Sequence, residues 1–264
     1  MDEFEKMMAE FDEWAEDAKV QLEASGRIDS SKLNAFVSII EELVQIKHEY
    51  ADRLTQLRTS AEEKIVRHAY SKGGIVIYRG FYCPSPVLDL VVGGMKRGRL
   101  FKKKIPKLGE YSYEYGFDQD EKMLRVKRAN EFEGEIPENI FDEEYLIYVG
   151  NVEYGLQFNY LGGLDAVSRC TYENGKLMKY EQCYCGMEEF ADLHYEEYRY
   201  EDDLLSEVDF FGNITPRLGL YEENRLHVEY DDDGNIVRII ISEMVDGEFK
   251  KTFVTHVKPP KKSD

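Results

Sequence analysis

The sequence predicts an α+β protein in which an N-terminal helical hairpin precedes a long antiparallel β meander. Residues 2–24 and 29–72 carry apolar residues at three- and four-residue steps, which is the spacing of an amphipathic helix. From Tyr111 onward, alternating strand patterns are separated by turn residues at intervals of about 10 to 12 residues. A motif of aromatic residues, a turn and branched apolar residues recurs at 195–208 and 228–239, which favours hairpins that lie side by side.

Two helices are expected before residue 73. The first ends near Ser25-Gly26, because glycine commonly terminates a helix, and the second begins at Asp29, whose carboxylate suits a helix N-cap. Neither proline nor glycine interrupts the chain from Asp29 to Lys72, so we expect the second helix to be long, with the polar residues 47–49 marking either a bend or the end of the partner helix. Its apolar stripe consists of Leu33, Phe36, Val37, Ile40, Leu43, Val44, Leu54, Leu57, Ala61 and Ile65.

The helical pattern stops at Gly73-Gly74, and short apolar strands are predicted at 75–78 and 87–92. A basic block then follows, which could form a second binding site or pair with acidic residues elsewhere in the protein. Its positive residues are Lys96, Arg97, Arg99, Lys102, Lys103, Lys104 and Lys107.

The rest of the chain predicts successive hairpins. Asn174-Gly175 is the strongest two-residue hairpin signal, and Asp246-Gly247 marks another turn. An open sheet, a sandwich and stacked hairpins all accommodate strands of this spacing. The predicted units are a helical hairpin at 1–72, an antiparallel β domain at 73–257 and a disordered tail at 258–264.

The charge and the termini restrict the function. The 264-residue chain has a formal net charge of −19, which disfavours nucleic-acid binding because phosphate backbones repel acidic surfaces. The N-terminus lacks the basic region of a signal peptide and the apolar runs are short, so we expect a cytoplasmic protein without membrane association. The cysteines lack zinc-site spacing and are expected to be buried free thiols: Cys83, Cys170, Cys183 and Cys185.

Three motifs fail at positions that their chemistry requires. The run 231–235 resembles part of a calcium loop, but Ile240 stands where a bidentate acid is needed. The run 93–98 has phosphate-loop spacing, but the Lys and Ser/Thr that should follow are missing. His48 has no second histidine four residues later, as a zinc protease needs. We therefore expect no metal, no cofactor and no catalytic residue.

Acidic residues concentrate between residues 187 and 234, where sixteen acids stand against three arginines. Because strands alternate faces, Glu196 and Glu229 are expected to point away from their aromatic neighbours and to make one sheet face strongly negative. Such a field accelerates association with a basic partner and selects for it, whereas the alternative is a face that only confers solubility. The predicted partner-binding residues are Glu196, Glu201, Asp202, Asp203, Glu207, Asp209, Glu229, Asp231, Asp232 and Asp233.

The hairpin units at 172–177 and 230–237 resemble the YD-type repeats of bacterial Rhs proteins. They join Tyr172 to Asn174-Gly175 and Tyr230 to Asp233-Gly234, and units of this kind cover roughly the last 150 residues. Short acidic proteins with such hairpins also resemble the immunity proteins of bacterial contact-dependent and polymorphic toxin systems. That resemblance implies that the protein binds a cognate toxin and blocks its active site.

Three functions follow as hypotheses. The first is a non-enzymatic protein-binding module of the immunity type, which neutralises a basic toxin through an acidic β face. The second is a structural or scaffolding protein that forms a homodimer or larger assembly through the N-terminal helices. The third is an enzyme on a β scaffold, which would require a pocket with clustered His194, Cys183 or acids. One such arrangement is a thiolate–imidazole pair of His194 with Cys183 or Cys185.

Overall fold

The protein is described by a computed structural model. It covers residues 30–72, 79–87, 90, 97–101, 112–129, 141–185, 191–215, 220–245 and 247–257, together with six single helical positions between residues 6 and 24. Most of the first predicted helix, the predicted strand at 75–78, most of the basic block and the tail at 258–264 lie outside these residues.

Among the described residues, two continuous helices precede the sheet, α1 at Ser30–Tyr50 and α2 at Leu54–Lys64. The sequence predicted helix as far as residue 72, with a bend or a helix end at 47–49; the break lies slightly later than that, and the helical structure ends before residue 72. The chain turns after α1, where Arg53 N–H donates to the Tyr50 carbonyl at 3.0 Å. It leaves the helix again at Ile65, which has an extended backbone. Residues 67–72 form a strand because pairing with a neighbouring strand outweighs their weak helical periodicity.

In the described part of the chain, thirteen antiparallel strands form one open sheet. They are β1 Arg67–Lys72, β2 Arg99–Phe101, β3 Ser112–Phe117, β4 Met123–Ala129, β5 Phe141–Val149, β6 Val152–Phe158, β7 Leu164–Glu173, β8 Lys176–Cys185, β9 Ala191–Glu201, β10 Leu204–Thr215, β11 Leu220–Tyr230, β12 Ile236–Val245 and β13 Glu248–His256. From β3 to β13 every strand pairs with the next one in the chain, and β1 lies between β3 and the short edge strand β2. The predicted meander is therefore confirmed as a single open sheet.

One side of the sheet, the helix face, is covered by α1 and α2. Phe36 of α1 packs edge-on against Tyr195 and Phe211, with ring centroids 5.4 and 4.9 Å apart. Ile40 and Leu43 follow on the same stripe of α1 and are fully buried. Because this core includes side chains from both helices and from β5 to β10, the helices and the sheet share one hydrophobic interior rather than forming two separate cores.

The other side, the segment face, is crossed by a segment of which the structure describes residues 79–87 and 90, here called the crossing segment. Its 3₁₀ turn at Gly80–Tyr82 lies over β3, where the Tyr115 hydroxyl donates to the Arg79 carbonyl at 2.9 Å. Farther along, Val87 and Leu90 pack in a second apolar cluster with residues of β7 to β12. Both residues are helical, so the strand predicted at 87–92 is wrong at these two positions, and its other residues lie outside the described part of the chain. The Leu90 N–H donates to the Pro86 carbonyl, as a helical turn requires.

Alternate turns of a meander fall at the same end of its strands. Five tight turns therefore line one end of the sheet, and we call this end the turn rim. The turn rim comprises the turns with their flanking strand residues, at 117–123, 149–152, 173–176, 201–204 and 230–236. It also includes Arg67, the first residue of β1, which lies beside Phe117. Neither α1 nor α2, the two helices in the described part of the chain, is long and apolar enough to cross a membrane.

Candidate partner-binding surface

The turn rim is built from turns whose own side chains hold them in shape. Asp231 Oδ1 accepts hydrogen bonds from the Asp233 and Asn235 N–H groups at 3.0 and 2.9 Å. Asp118 makes the same kind of bonds in its turn, to two N–H groups at 2.9 Å. Asp231 is thus committed to the turn rather than to a calcium ion, and its neighbours are held in fixed positions.

The turn rim carries ten acids and three bases. The bases are already engaged: Arg67 pairs with Glu121, Lys176 pairs with Asp203, and the Lys122 ammonium lies 5.5 Å from the centre of the Tyr148 ring. Six of the acids are exposed, and within the described residues they make no ion pair. These are Asp120, Glu173, Glu201, Asp202, Asp232 and Asp233.

The turns recur at a regular distance, because each one caps a pair of strands. Neighbouring strands lie about 4.8 Å apart, so successive turns are spaced about 9.6 Å and the five turns span about 38 Å. Six of the ten predicted partner-binding residues belong to the last two turns: Glu201, Asp202, Asp203, Asp231, Asp232 and Asp233. The topology therefore brings together acids that are up to 32 positions apart in the sequence.

Other predicted partner-binding residues lie on the helix face of β10 and β11, beyond the helices. Asp209 receives a two-pronged bond from Arg225, with Nε to Oδ1 at 2.6 Å and Nη2 to Oδ2 at 2.9 Å, and a further bond from Arg199. Burial opposes ionisation of Asp209, but the hydrogen bonds and charges of the two arginines outweigh it and lower the pKa of this carboxyl group. Arg199 also pairs with Glu207.

Glu229 is matched in the same way, since Arg238 lies opposite it on β12 and donates from Nε at 2.7 Å. The sequence predicted a strongly negative face here. The structure instead has a ladder of arginine–carboxylate pairs on neighbouring strands, which leaves little net charge on Glu207, Asp209 and Glu229 together with their partners. Among the described residues between 187 and 234, the exposed acids that make no ion pair lie at the turn rim, not on the face.

Glu196 occupies a different place from the one that the sequence predicted. It is 1% exposed and lies on the segment face, on the same side of β9 as Tyr198. Ser85 of the crossing segment donates to both of its carboxylate oxygens, at 2.7 and 2.8 Å, and Tyr198 and His194 also contact it. A partner cannot reach this carboxylate while the crossing segment is in place, so Glu196 is a structural residue.

A second buried polar group, which the sequence analysis missed, lies beside it. Arg79, with a left-handed backbone at φ 60°, is 4% exposed and donates to Glu144 Oε1 at 2.7 Å, to Glu153 and to Ser168 Oγ at 3.1 Å. Burial raises the pKa of Glu144 even though Arg79 stabilises its charged form. The sequence signal was the occurrence of acids within otherwise apolar or aromatic strands.

The residues of the enzyme hypothesis are not brought together. Cys183 lies on the helix face and belongs to the core beneath α1, whereas His194 lies on the segment face and contacts Glu196. Cys183 pairs with Leu193 and Gln182 pairs with His194, so strand alternation places the thiol and the imidazole on opposite sides of the sheet.

Of the basic block, the structure describes residues 97–101. Arg97 donates to the Ser85 carbonyl at 2.6 Å and to the Cys83 carbonyl, and thereby fixes the crossing segment. Both of these bonds go to backbone carbonyl groups of the crossing segment and not to acids of the turn rim. The lysines from 102 to 107 lie outside the described residues.

No protein-family model matches this sequence, and a comparison with curated proteins finds no significant match.

Proposed function

We propose that this protein is a non-enzymatic binding module that recognises a basic protein partner through the turn rim. The observation that carries the proposal is the contrast between two sets of acids. Those on the helix face of β10 and β11 are paired with arginines, whereas six at the turn rim are exposed and make no ion pair among the described residues. Charges that no described residue of the same molecule neutralises are available to act on another molecule.

The shape of the turn rim supports binding as well as steering. Turns held by their own aspartates and by tight hairpins lose little conformational freedom when they bind. A row of carboxylates spaced about 9.6 Å apart matches a partner surface with several lysines or arginines, and contact at several turns adds specificity to the long-range attraction.

The partner class is proposed from the resemblance to immunity proteins. A toxin domain that acts on nucleic acid has a basic active-site cleft, because it must bind phosphate groups. An acidic rim that enters this cleft would block the substrate by occupying its binding site. The cytoplasm, where such a toxin acts, is the proposed location of this protein.

The test uses two variants with the same change in net charge. The rim variant carries Glu201→Lys and Asp232→Lys, and the control variant carries Glu243→Lys and Glu248→Lys, which are exposed acids toward the other end of the strands. Asp202 and Asp203 are left unchanged because their positive φ angles, 47° and 69°, would strain a lysine, and Asp231 is left unchanged because it builds its turn.

Wild-type protein and both variants are used for affinity capture from host lysate at low salt, and the captured basic protein is purified for titration. We expect wild type and the control variant to bind it with similar affinity and the rim variant to bind at least tenfold more weakly, a difference that shrinks as salt increases. Equal binding by the rim variant would refute the role of the rim. If the protein captures only further copies of itself, and its molecular mass in solution increases with concentration, self-association is favoured instead.

A further inference from the structure

The helix face contains a pair of thiols with an unusual arrangement. Cys183 and Cys185 are two positions apart on β8, so both side chains point to the same side of the strand. Their Sγ atoms lie 3.2 Å apart, close enough for one thiol to donate a hydrogen bond to the other sulfur. Both are free, and both are buried against α1, at 0% and 7% exposure. Cys185 is the last residue of its strand, which leaves it the more accessible of the two.

We propose that Cys183 and Cys185 form a redox-active dithiol that is oxidised reversibly to an intrastrand disulfide, with Cys185 as the attacking sulfur. This site goes beyond the proposed binding function and does not depend on it. Residues that are two positions apart in a strand have α-carbons about 6.7 Å apart, near the upper end of the range that a disulfide spans. Rotation of the two side chains can therefore close the bond without a new backbone fold.

The surroundings distinguish the two sulfurs. Lys47 of α1 donates to the Cys185 carbonyl, which brings an ammonium group next to the pair. The hydrogen bond from Cys183 and the charge of Lys47 lower the pKa of Cys185 despite its burial, whereas the pKa of Cys183 is raised. In the neutral pair, Cys185 Sγ lies 3.7 Å from the Cys183 carbonyl oxygen and can direct its hydrogen there. The thiolate form of the pair therefore resides on Cys185, and a thiolate is the nucleophile in disulfide exchange.

The reaction with a small disulfide such as oxidised glutathione has two steps. The Cys185 thiolate attacks one sulfur of the disulfide, the S–S bond breaks, and one glutathione thiolate leaves. Cys183 then attacks Cys185 Sγ, its proton passes to the departing glutathione sulfur, and the second glutathione leaves as a thiol. The two thiols of the protein lose two electrons in total, and one oxidised glutathione becomes two reduced molecules.

The protein supplies its own controls, because Cys83 and Cys170 are also buried free thiols. Both are associated with the segment face, and burial raises their pKa values to about 11 and about 12. Neither has a second thiol among its hydrogen-bond partners in the described part of the chain. If burial alone decided reactivity, all four cysteines would behave alike.

The test incubates the folded, full-length protein in glutathione buffers of increasing oxidation, blocks the remaining thiols and maps them by mass spectrometry. We expect a disulfide between Cys183 and Cys185 that dithiothreitol reverses, with at least about tenfold slower modification of Cys83 and Cys170. The urea-unfolded chain shows which buffers are able to oxidise its cysteines. If the folded wild-type protein keeps all four thiols free in those buffers, the proposal is overturned. Modification of Cys83 or Cys170 at the same rate would also overturn it.

Two variants test the roles of the sulfurs. Cys183→Ser should accumulate a mixed disulfide with glutathione at Cys185, because the resolving thiol is gone, whereas Cys185→Ser should leave Cys183 unmodified. Equal adducts on both variants would refute the assignment of Cys185 as the attacking sulfur. Far-UV circular dichroism checks the fold of each variant, and the wild-type mapping remains decisive if either variant unfolds.

Discussion

Arg79 donates from Nε to Glu144 Oε1 at 2.7 Å, and both side chains are buried between the crossing segment and the sheet. The same guanidinium also contacts Glu153 and Ser168, so one residue of the segment is bonded to β5, β6 and β7 at once. Removing charges from water is costly unless they are paired, and here one cation serves two carboxylates. The pairing ties the crossing segment to one position on the sheet.

We predict that Arg79→Met lowers the free energy of unfolding by about 3 to 5 kcal/mol, because Glu144 and Glu153 are left buried without their cation. The control is Arg53→Met, which breaks an exposed pair with Glu49 and should cost no more than about 1 kcal/mol. Urea unfolding at pH 7 measures both values. Similar losses for the two variants would show that the buried position of Arg79 has no special energetic role.

Gly155 gives the Arg79 group its space. A β-carbon at this position would lie 2.1 Å from Glu144 Oε1, 2.5 Å from Ser168 Oγ and 2.6 Å from Arg79 Nη2. We therefore predict that Gly155→Ala costs about 1 to 3 kcal/mol in urea unfolding, since the crowded charges must separate. Ser168→Ala adds no volume and should cost about 1 kcal/mol, for the single bond from Arg79. If Gly155→Ala leaves the free energy of unfolding unchanged, the Arg79 group can rearrange around the added methyl group without loss of stability.

The meander could be predicted from the sequence because hairpin signals are local. Asn174 and Gly175 both adopt positive φ angles, 51° and 78°, as the predicted turn requires. The helix boundary could not be predicted in the same way. Residues 67–72 are a strand because β3 lies beside them: Ser71 Oγ meets the Tyr115 hydroxyl at 2.8 Å, across 44 positions of sequence.

The distribution of charge depends on register, which the sequence pattern does not contain. Alternation correctly separates Glu196 from Glu197 but does not say which side is covered. The crossing segment covers Glu196, and the pairing of β10 with β11 places Arg225 opposite Asp209. The acids of the turns were easier to anticipate, because residues such as Asp232 lie at a hairpin tip and remain exposed in any such fold.

The contact of α1 with the sheet supplies a third prediction. Phe36 is 5% exposed and touches two aromatic rings of the sheet, Tyr195 and Phe211. Phe36→Ala should lower the free energy of unfolding by about 3 to 5 kcal/mol, because it leaves a cavity between the helix and the sheet. Gln45→Ala changes an exposed position of the same helix and should have an effect within about 0.5 kcal/mol. Equal effects in thermal or urea unfolding would mean that α1 does not rely on this core.

The Asp209 group predicts a loss of stability in acid. Because the two arginines lower its pKa in the folded state, Asp209 contributes stability that is fully present above its unfolded pKa of about 3.9 and is lost as pH falls through the folded value. Glu144 has the opposite sign, because its raised pKa makes its burial less costly once it is protonated. The hydrogen bond to Asp209 raises the pKa of Arg225, which stays charged throughout this range.

The measurement compares the free energy of unfolding of wild type and Asp209→Asn in urea between pH 7 and pH 3. We expect the variant to be about 2 kcal/mol less stable at pH 7, since the charge-assisted bonds from Arg225 and Arg199 are weakened. The difference should diminish below about pH 4, where the wild-type carboxyl also becomes neutral. Asp202→Asn, at an exposed position whose positive φ of 47° asparagine tolerates, should follow the wild-type curve. A constant difference between wild type and Asp209→Asn at every pH would show that its charge does not stabilise the fold.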